Sequence, residues 1–262
     1  MDLGLKDKVI LVTGGAKGIG KGIVIALAKE GAIPVIIGRG KEQNDLVVNE
    51  VKAIGIDTIG ITAELGNPDE CQQAVLTAVQ KFGRIDGLVN NAGLNDGVSL
   101  ENGTYEGFVK SLHNSLIHYF LLAKYCLPYL KESKGNILNI SSKTAETGQG
   151  GTSGYAASNG GRNALTREWA VELLPYEIRV NAIIVAESMT PQYESWIKTI
   201  PNPEETLKKI TSRIPFQNRM TTIEEIADMS VFILSNRSSH TTGQLIHVDG
   251  GYVHLDRALI ND

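Results

Sequence analysis

Residues Lys8–Gly20 read KVILVTGGAKGIG, a short apolar run followed at once by a glycine-rich turn. A run of this length with several β-branched residues is typical of a buried strand. The next residues, Gly20–Glu30, have a helical pattern that stops before Gly31. A strand, a glycine turn and a helix in this order predict the first βα unit of an α/β sheet.

The same alternation continues outward from this unit to the end of the chain. Further strands are predicted at Ile33–Gly38, Asp57–Thr62, Asp86–Asn90, Gly135–Ile140, Arg179–Ile184 and Gln244–Val248. Further helices are predicted at Lys41–Ile54, from a cap at Asn67 to Phe82, and at Tyr105–Lys131, Thr152–Leu174 and Ile223–Ser235, with short helices in 186–220. Several strands are apolar on both faces, which predicts a parallel sheet covered by helices on both sides. With no linker or repeat, residues 1–262 are expected to form a single domain.

Bulk composition excludes several classes of protein. Hydrophobic residues make up 42% of the 262 residues, enough for a full core, and the net charge of -4 argues against nucleic-acid binding. Two cysteines, Cys71 and Cys126, fit neither a disulfide framework nor a zinc site and are expected to be buried thiols. The chain shows no secretion signal and no apolar run long enough to cross a membrane. A cytoplasmic protein is therefore expected.

The glycine turn is the first candidate binding site. Gly14, Gly18 and Gly20 have the spacing G-x-x-x-G-x-G, which differs from both the G-x-G-x-x-G fingerprint and the Walker A loop. Glycines before a helix allow a phosphate to approach the backbone, and the helix start supplies free N–H groups. A plain strand–helix turn is the alternative interpretation.

The end of the second predicted strand bears on the choice of cofactor. An acidic residue there would bind the adenosine ribose of NAD, but this chain has Gly38-Arg39-Gly40, with Lys17 in the nearby turn. Two cations suit the extra phosphate of NADP. The sequence therefore favours NADP, with NAD possible, unless Arg39 is only a solvated loop residue.

A serine and a tyrosine form the candidate catalytic pair. Ser142 follows the apolar strand that ends near Ile140, and Tyr155 opens the next long helix after a glycine-rich loop. Two hydroxyls that meet in this way can hold a carbonyl or alcohol oxygen and pass it a proton. The alternatives are a strand-end hydroxyl that caps nearby backbone and an ordinary helix-start aromatic.

Together these motifs resemble the short-chain dehydrogenase/reductase family. Thr13–Gly20 resembles its cofactor turn, and Asn90–Gly93 (NNAG) resembles the motif after its fourth strand. Asn114, Ser142 and Tyr155 fall where that family has its catalytic asparagine, serine and tyrosine, and Ser142 precedes Tyr155 by the usual 13 residues. The resemblance covers nearly the whole chain. It implies a Rossmann-like three-layer sandwich with a seven-stranded parallel sheet, hydride transfer with a nicotinamide, and commonly a homotetramer.

Four longer stretches are similar to the bacterial L-fucose dehydrogenases of this family. They read LVNNAGLNDGVSL (88–100), NISSKTAETGQGGTSGY (139–155), LTREWAV (165–171) and VDGGYVHLDRAL (248–259). Those enzymes oxidise the anomeric carbon of a 6-deoxy sugar to a lactone. The similarity implies the same activity on L-fucose or a related aldose.

The resemblance also assigns roles to individual residues. Tyr155 would be the general base in oxidation, Ser142 would orient the reacting oxygen, and Asn114 would hold a water in a proton relay. The implied cofactor contacts are Gly14, Lys17, Gly18, Ile19, Gly20, Arg39, Glu64, Leu65, Asn91, Gly93, Tyr155, Asn159, Val185 and Thr190.

Position 159 departs from the family pattern. The family has a lysine four residues after the tyrosine, which binds the nicotinamide ribose and lowers the tyrosine pKa; here Asn159 stands there without a charge. A unit charge about 5 Å away, at a dielectric of about 20, is worth roughly 3 kcal/mol. The sequence therefore predicts a weakened enzyme whose rate rises toward alkaline pH. Arg162 could lend some charge but is expected to point to solvent. A substitution made to trap a complex, a natural variant with altered chemistry and a cofactor-binding protein without turnover are the three explanations.

Two smaller departures lie near the cofactor contacts. Val185-Ala186 replace the usual Pro-Gly pair after the sixth strand, although Thr190 keeps the usual threonine. Glu64-Leu65 stand where an aspartate usually meets the adenine, and a glutamate can do the same.

Polar side chains flank the predicted catalytic set and favour a hydroxyl-rich substrate. They are Asn95, Asp96, Lys143, Gln149 and Glu187, with Ser142 and Tyr155 at the reacting oxygen. Ordinary surface polarity is the alternative. The five histidines show no metal-ligand spacing, so no metal site is expected. A reductase of another polyol or of a ketoacyl substrate is the rival activity.

Overall fold

The strands form a single parallel sheet in the structure, a computed structural model that describes residues 1–255. In sequence order they are β1 (Val9–Thr13), β2 (Ile33–Gly38), β3 (Gly60–Thr62), β4 (Gly87–Asn90), β5 (Asn136–Ser142), β6 (Arg179–Val185) and β7 (Leu245–Val248). Their order across the sheet is β3-β2-β1-β4-β5-β6-β7. The chain crosses over between β3 and β4, so the loops after β1 and β4 leave the sheet at the point where a cleft opens.

Helices cover both faces of this sheet. They are α1 (Gly18–Lys29), α2 (Lys41–Ala53), α3 (Pro68–Phe82), α4 (Tyr105–Leu112), α5 (His118–Ser133), α6 (Ser153–Glu172), α7 (Pro191–Ile197), α8 (Pro203–Thr211) and α9 (Ile223–Leu234). The seven-stranded Rossmann-like sandwich that the sequence predicted is therefore confirmed. None of the helices in residues 1–255 is both long and apolar enough to span a membrane.

The apolar core has two halves, one on each face of the sheet. Val9 and Leu11 of β1 pack with α3, α5 and α6, whereas Ile10 and Val12 pack with α1, α2 and α9. Successive side chains of a strand point to opposite faces, so a strand buried on both sides must be apolar throughout. This explains the continuous apolar run in the opening sequence.

Helices α1 and α9 approach each other closely at Gly22. A Cβ added to Gly22 would lie 2.3 Å from the Cγ2 methyl of Ile223. That methyl belongs to a β-branched side chain, which has little rotamer freedom in a helix. The absence of a side chain at Gly22 therefore lets α9 pack against the helix of the glycine turn.

The long predicted helix Tyr105–Lys131 is interrupted in the structure. Between α4 and α5 the chain forms a π-helical turn at His113–Ile117. A π turn inserts one extra residue into the helix and is frequent at functional sites. The turn contains Asn114, one of the predicted catalytic residues.

Several strands differ from the prediction at one or both ends, among them β3, β5 and β6. Strands β5 and β6 run to Ser142 and Val185, which are paired in register, so Ser142 is the last residue of its strand. Strand β3, at the sheet edge, begins at Gly60 rather than Asp57, since its pairing with β2 starts with Gly60 opposite Ile36.

Both cysteines are buried, as expected. Cys71 and Cys126 are 0% exposed, and burial raises the pKa of Cys71 to about 11 and that of Cys126 further above its usual range. The Cys71 thiol also donates to the Leu65 carbonyl at 3.3 Å.

Candidate active site

The glycine turn has the conformation that phosphate binding requires. Gly14 and Gly18 adopt φ of 63° and 51°, which disfavours other residues. A Cβ on Gly20 would lie 2.3 Å from the Gly14 carbonyl oxygen. Helix α1 begins here with no side-chain cap at Lys17, so its first N–H groups stay available to an anion. These features fit the pyrophosphate of a dinucleotide.

The NNAG segment (Asn90–Gly93) is hydrogen bonded to the start of the glycine turn. The amide of Asn91 donates to the Thr13 carbonyl oxygen at 2.8 Å, and the backbone N–H groups of Asn91 and Ala92 donate to Thr13 Oγ1 at 2.8 and 3.0 Å. Strand β4 is thereby fixed to the start of the glycine turn.

A row of buried polar side chains continues beneath the site. Asn90 Nδ2 donates to Asn139 Oδ1 at 3.1 Å, and Asn139 Nδ2 donates to Thr166 Oγ1 at 2.9 Å. The row connects β4, β5 and α6, and all three side chains are 0% exposed. This role was not predicted, although asparagines inside otherwise apolar strands are a signal for it.

One large cavity, of about 1150 Å³, brings most of the predicted residues together at the carboxyl ends of β1, β4, β5 and β6. The predicted residues that line it are Gly14, Lys17, Gly18, Ile19, Arg39, Glu64, Leu65, Asn91, Gly93, Asn95, Asn114, Ser142, Lys143, Gln149, Tyr155, Val185, Glu187 and Thr190. Asp96 is turned instead toward Ser111, which donates to it at 3.0 Å. Gly20 and Asn159 lie behind the lining.

The predicted catalytic pair, Ser142 and Tyr155, lines this cavity from two elements. Ser142 ends β5, and its Oγ accepts a hydrogen bond from the Thr144 backbone N–H at 3.3 Å. Tyr155 lies in the first turn of α6 and is half-buried. The serine hydroxyl therefore caps local backbone and lines the cavity at the same time.

Asn114 reaches the cavity from the π turn. Its backbone carbonyl accepts a hydrogen bond from His118 Nε2 at 3.1 Å. His118 is 1% exposed, and burial, followed by the charge of Arg162, lowers its pKa to about 3. His118 is therefore a neutral imidazole at physiological pH.

A buried ion pair forms the wall next to Ser142. Lys143 and Glu187 are hydrogen bonded, and their side chains are only 9% and 11% exposed. Lys143 Nζ also lies 4.1 Å from the ring centroid of Tyr252. Burial, followed by the nearby carboxylate of Glu187, raises the pKa of Tyr193 above its ordinary range.

The surroundings of position 159 differ from the expectation. Asn159 is 0% exposed; its Nδ2 donates to the Tyr155 carbonyl at 2.8 Å, and its Oδ1 accepts from Arg162 Nη1 at 2.9 Å. The expectation that Arg162 points to solvent is wrong, because this side chain is 3% exposed and lines the cavity. Arg162, and not Asn159, is the side chain from this part of α6 that reaches the cavity.

The loop after β6 crosses the cavity toward the glycine turn. A Cβ on Gly18 would lie 3.5 Å from Cβ of Thr190. Thr190 also caps α7, since its Oγ1 accepts from the Tyr193 N–H at 3.2 Å. At the outer edge, Arg39 Nη1 lies 3.8 Å from Glu64 Oε2, with both side chains largely exposed.

Three potential metal ligands from two distant parts of the chain lie close together in the structure. Ligand atoms of Glu146, His247 and His254 lie within 4.8 Å of one another. His247 Nε2 is 2.9 Å from Glu146 Oε2. The spacing of the histidines along the chain gave no sign of this cluster, because β7 and the loop after β5 meet only in the folded sheet.

Comparisons with known proteins agree with this geometry. The family described as enoyl-(acyl carrier protein) reductase matches residues 14–253. The chain is 36% identical to the 3-oxoacyl-acyl-carrier-protein reductase FabG of Thermotoga maritima, over 95% of this chain and 99% of that one. It is 33% identical to the L-fucose dehydrogenase of Bos taurus, over 93% of this chain and 88% of that one.

Solved structures show the same fold. The crystal structure of Cj0485 dehydrogenase matches with a TM-score of 0.94 and 48% identity, covering 100% of both chains. That of levodione reductase matches with a TM-score of 0.90 and 30% identity, covering 94% of this chain and 98% of that one. The last residues of the VDGGYVHLDRAL similarity, 256–259, lie outside the described part of the chain. From the motifs, the cavity and these relatives, the chain belongs to the short-chain dehydrogenase/reductase family of oxidoreductases.

Proposed function

We propose that the protein oxidises the anomeric carbon of L-fucose, or of a similar aldose, to the lactone, with NADP⁺ as the preferred cofactor. The Lys143–Glu187 ion pair carries this proposal. Removing two charges from water is costly, so a buried pair is weak evidence for stability and calls for another role. An ammonium can donate to sugar hydroxyls and a carboxylate can accept from them, whereas an acyl chain would satisfy neither group.

The cavity residues divide the chemistry between them. Ser142 and Tyr155 hold the anomeric hydroxyl, and Tyr155 takes its proton as the general base. A bound nicotinamide would supply the acceptor for the hydride that leaves the anomeric carbon. Aldose and NADP⁺ thus give lactone, NADPH and one proton. Because an amide occupies position 159, turnover is expected to rise toward alkaline pH.

The preference for NADP⁺ is supported by Arg39. It lies at the cavity edge, and its pair with Glu64 is long and exposed, so a 2′-phosphate can replace the carboxylate at little cost. Homologous L-fucose dehydrogenases support the sugar substrate by similarity.

The proposal is tested by reduction of NADP⁺ and NAD⁺ across a panel of aldoses and by oxidation of NADPH with a β-ketoacyl thioester. We expect the highest kcat/KM on L-fucose or a close relative. Activity confined to the ketoacyl substrate would instead support the second candidate, a ketoacyl reductase, which the similarity to FabG favours. Tight NADP⁺ binding without turnover of any alcohol would support a cofactor-binding protein.

Substitution of either member of the ion pair tests whether Lys143 and Glu187 bind the sugar. Lys143→Met and Glu187→Gln should each raise KM for the sugar by about tenfold or more, the usual loss for a hydrogen bond to a charged group. Affinity for NADP⁺ should stay within about twofold. Lys134→Met breaks the exposed Lys134–Glu177 pair and is the matched control. An unchanged KM in both cavity variants contradicts the sugar assignment.

A further inference from the structure

Position 159 lacks the positive charge that the proposed proton transfer at Tyr155 requires. An unperturbed tyrosine, with a pKa near 10, is a poor base at neutral pH, so a nearby positive charge is needed to favour the phenolate. Asn159 carries no charge, and both ends of its amide are bonded to the protein. A cation must therefore come from another residue if the phenol of Tyr155 is to act as base.

The guanidinium of Arg162 is held in place by hydrogen bonds to three different elements. Its Nε donates to the Ser115 carbonyl at 2.7 Å, and its Nη1 donates to the Ile140 carbonyl at 3.1 Å and to Asn159 Oδ1 at 2.9 Å. Three acceptors from the π turn, β5 and α6 thus fix the guanidinium. The remaining nitrogen, Nη2, is buried and has no hydrogen-bond partner within residues 1–255.

The unpaired nitrogen points toward Gly93 on the cavity wall. A Cβ on Gly93 would lie 2.6 Å from Nη2, closer than from any other atom of the guanidinium. Gly93 and Arg162 both line the cavity, and the absence of a side chain at Gly93 makes room for the guanidinium there. A buried donor without a partner is costly, and an acceptor that arrives with a ligand would remove that cost.

The charge of Arg162 is not neutralised in the fold. Arg162 donates to two backbone carbonyls and to the amide oxygen of Asn159, and no carboxylate pairs with it in the described structure. Two other residues of the cavity wall do not supply this charge: Lys143 is paired with Glu187, and His118 is uncharged because burial and Arg162 lower its pKa to about 3.

Arg162 and Tyr155 also lie within mutual electrostatic reach. They are seven residues apart on α6, about 10.5 Å along the axis at 1.5 Å per residue, and both line the cavity. Tyr119 reports on both groups: burial raises its pKa to about 12, the Arg162 charge opposes that rise, and Tyr155 adds to it. The Arg162 guanidinium lies 4.4 Å from the Tyr119 ring centroid.

We propose that Arg162 is the active-site cation of this protein: it favours the ionised phenol of Tyr155 and donates from Nη2 to a hydroxyl of the bound dinucleotide. Asn159 is a positioning residue that holds the guanidinium by its Oδ1. The charge that the family carries on an amine at position 159 has thus moved to position 162. The inference rests on the proposed proton transfer at Tyr155, but not on which alcohol is the substrate.

A pair of substitutions separates charge from packing. Arg162→Gln keeps hydrogen bonding without charge, and Arg162→Lys keeps the charge without the planar fork. We expect Arg162→Gln to lower kcat on the order of tenfold at neutral pH, to move the rising limb of the pH–rate profile up by about one unit, and to weaken cofactor binding several-fold. Arg162→Lys should retain most of kcat and the wild-type profile. Arg167→Gln removes an exposed charge from the same helix and is the control.

Two outcomes would contradict the proposed role of Arg162. A purely structural arginine would give equal losses in both variants at every pH, with lowered thermal stability and an unchanged profile. An Arg162→Gln variant with wild-type turnover and cofactor affinity would also refute it. Tyr155→Phe, assayed beside them, tests the proposed proton transfer separately, since its full activity would refute that step alone.

A measurement on the wild-type chain avoids any folding defect of the variants. Cofactor affinity can be followed by the fluorescence of the reduced nicotinamide, and the complex can be crystallised. We expect Nη2 within about 3.2 Å of a cofactor hydroxyl in the wild-type complex. A complex in which Nη2 remains without a polar contact to the cofactor refutes the donation from Arg162.

Discussion

Arg39 is the residue on which the choice between the two cofactors depends. Its side chain is 75% exposed and lies 3.8 Å from the half-exposed Glu64 carboxylate. Such a surface pair contributes little stability and is easily exchanged. An incoming phosphate offers a doubly charged, bidentate partner, which the guanidinium binds more strongly than a single distant carboxylate oxygen.

Removal of Arg39 should therefore separate NADP⁺ from NAD⁺. We expect Arg39→Ala to raise Kd for NADP⁺ by about tenfold or more, the loss of a charge-assisted contact, and to leave Kd for NAD⁺ within about twofold. Titration followed by nicotinamide fluorescence measures both constants. Lys41→Ala, which breaks the exposed Lys41–Asp45 pair nearby, is the control. Equal weakening for the two cofactors would show that Arg39 does not contact the phosphate.

The sequence predicted several residues of the cavity, but not the orientation of the Arg162 side chain. The lining positions of the glycine turn, Ser142 and Tyr155 could be predicted because their chemistry depends on spacing along the chain. The direction of Arg162 could not, since a charged residue beside Asn159 and Asn163 is typical of a solvated helix face. In the structure that face of α6 is buried against polar groups of β5 and the π turn.

The close packing of α1 on α9 depends on the absence of a side chain at Gly22. Helix propensity alone favours alanine over glycine inside a helix by about 1 kcal/mol. At Gly22 the added methyl would meet Ile223 Cγ2 at 2.3 Å, and the β-branched side chain cannot swing away freely. Overpacking of this kind costs about 1–3 kcal/mol and outweighs the propensity gain.

Gly22→Ala should therefore destabilise the protein by about 1–2 kcal/mol, measured by urea unfolding. Gly160→Ala is the matched substitution: Gly160 lies within α6, and a Cβ there would meet no atom within 4 Å. We expect Gly160→Ala to be neutral or to stabilise the protein by up to about 1 kcal/mol. If both variants gain stability, the helices separate at little cost and the packing argument is wrong.

The elements themselves were largely predictable, and the exceptions have physical reasons. Apolar runs and turn residues indicated all seven strands and the cap at Asn67, whose side chain accepts from the Asp69 N–H at 3.0 Å. The π turn at His113–Ile117 was not predictable, because a change of hydrogen-bond register leaves no pattern in residue types. That turn presents the Ser115 carbonyl to Arg162, so the missed element and the missed residue are connected.

Apolar side chains remain exposed on α5 and α6, which pack against the same side of the sheet. Phe120 is 48% exposed and Val171 is 69% exposed. The family resemblance led us to expect a homotetramer, in which long helices of this kind pair between subunits. Large exposed apolar residues are compatible with such an interface.

We propose that this surface is a subunit interface of a homotetramer, so Phe120→Asp should dissociate the protein into smaller species. A carboxylate buried without a partner at a subunit contact is strongly unfavourable. Light scattering after size exclusion measures the mass directly. Leu46→Asp, on the exposed side of α2 across the sheet, is the control and should leave the mass unchanged. A wild-type protein that elutes as a monomer would remove the basis of the expectation.

The two buried thiols have a practical consequence for labelling. Cys71 and Cys126 are fully covered, and burial raises both pKa values, so neither presents a thiolate to an alkylating reagent in the native state. A single cysteine introduced at an exposed site therefore reacts against a silent background. An environment-sensitive fluorophore attached to Gln192→Cys, two residues after Thr190, would report changes in the surroundings of this loop, which approaches the glycine turn, in real time.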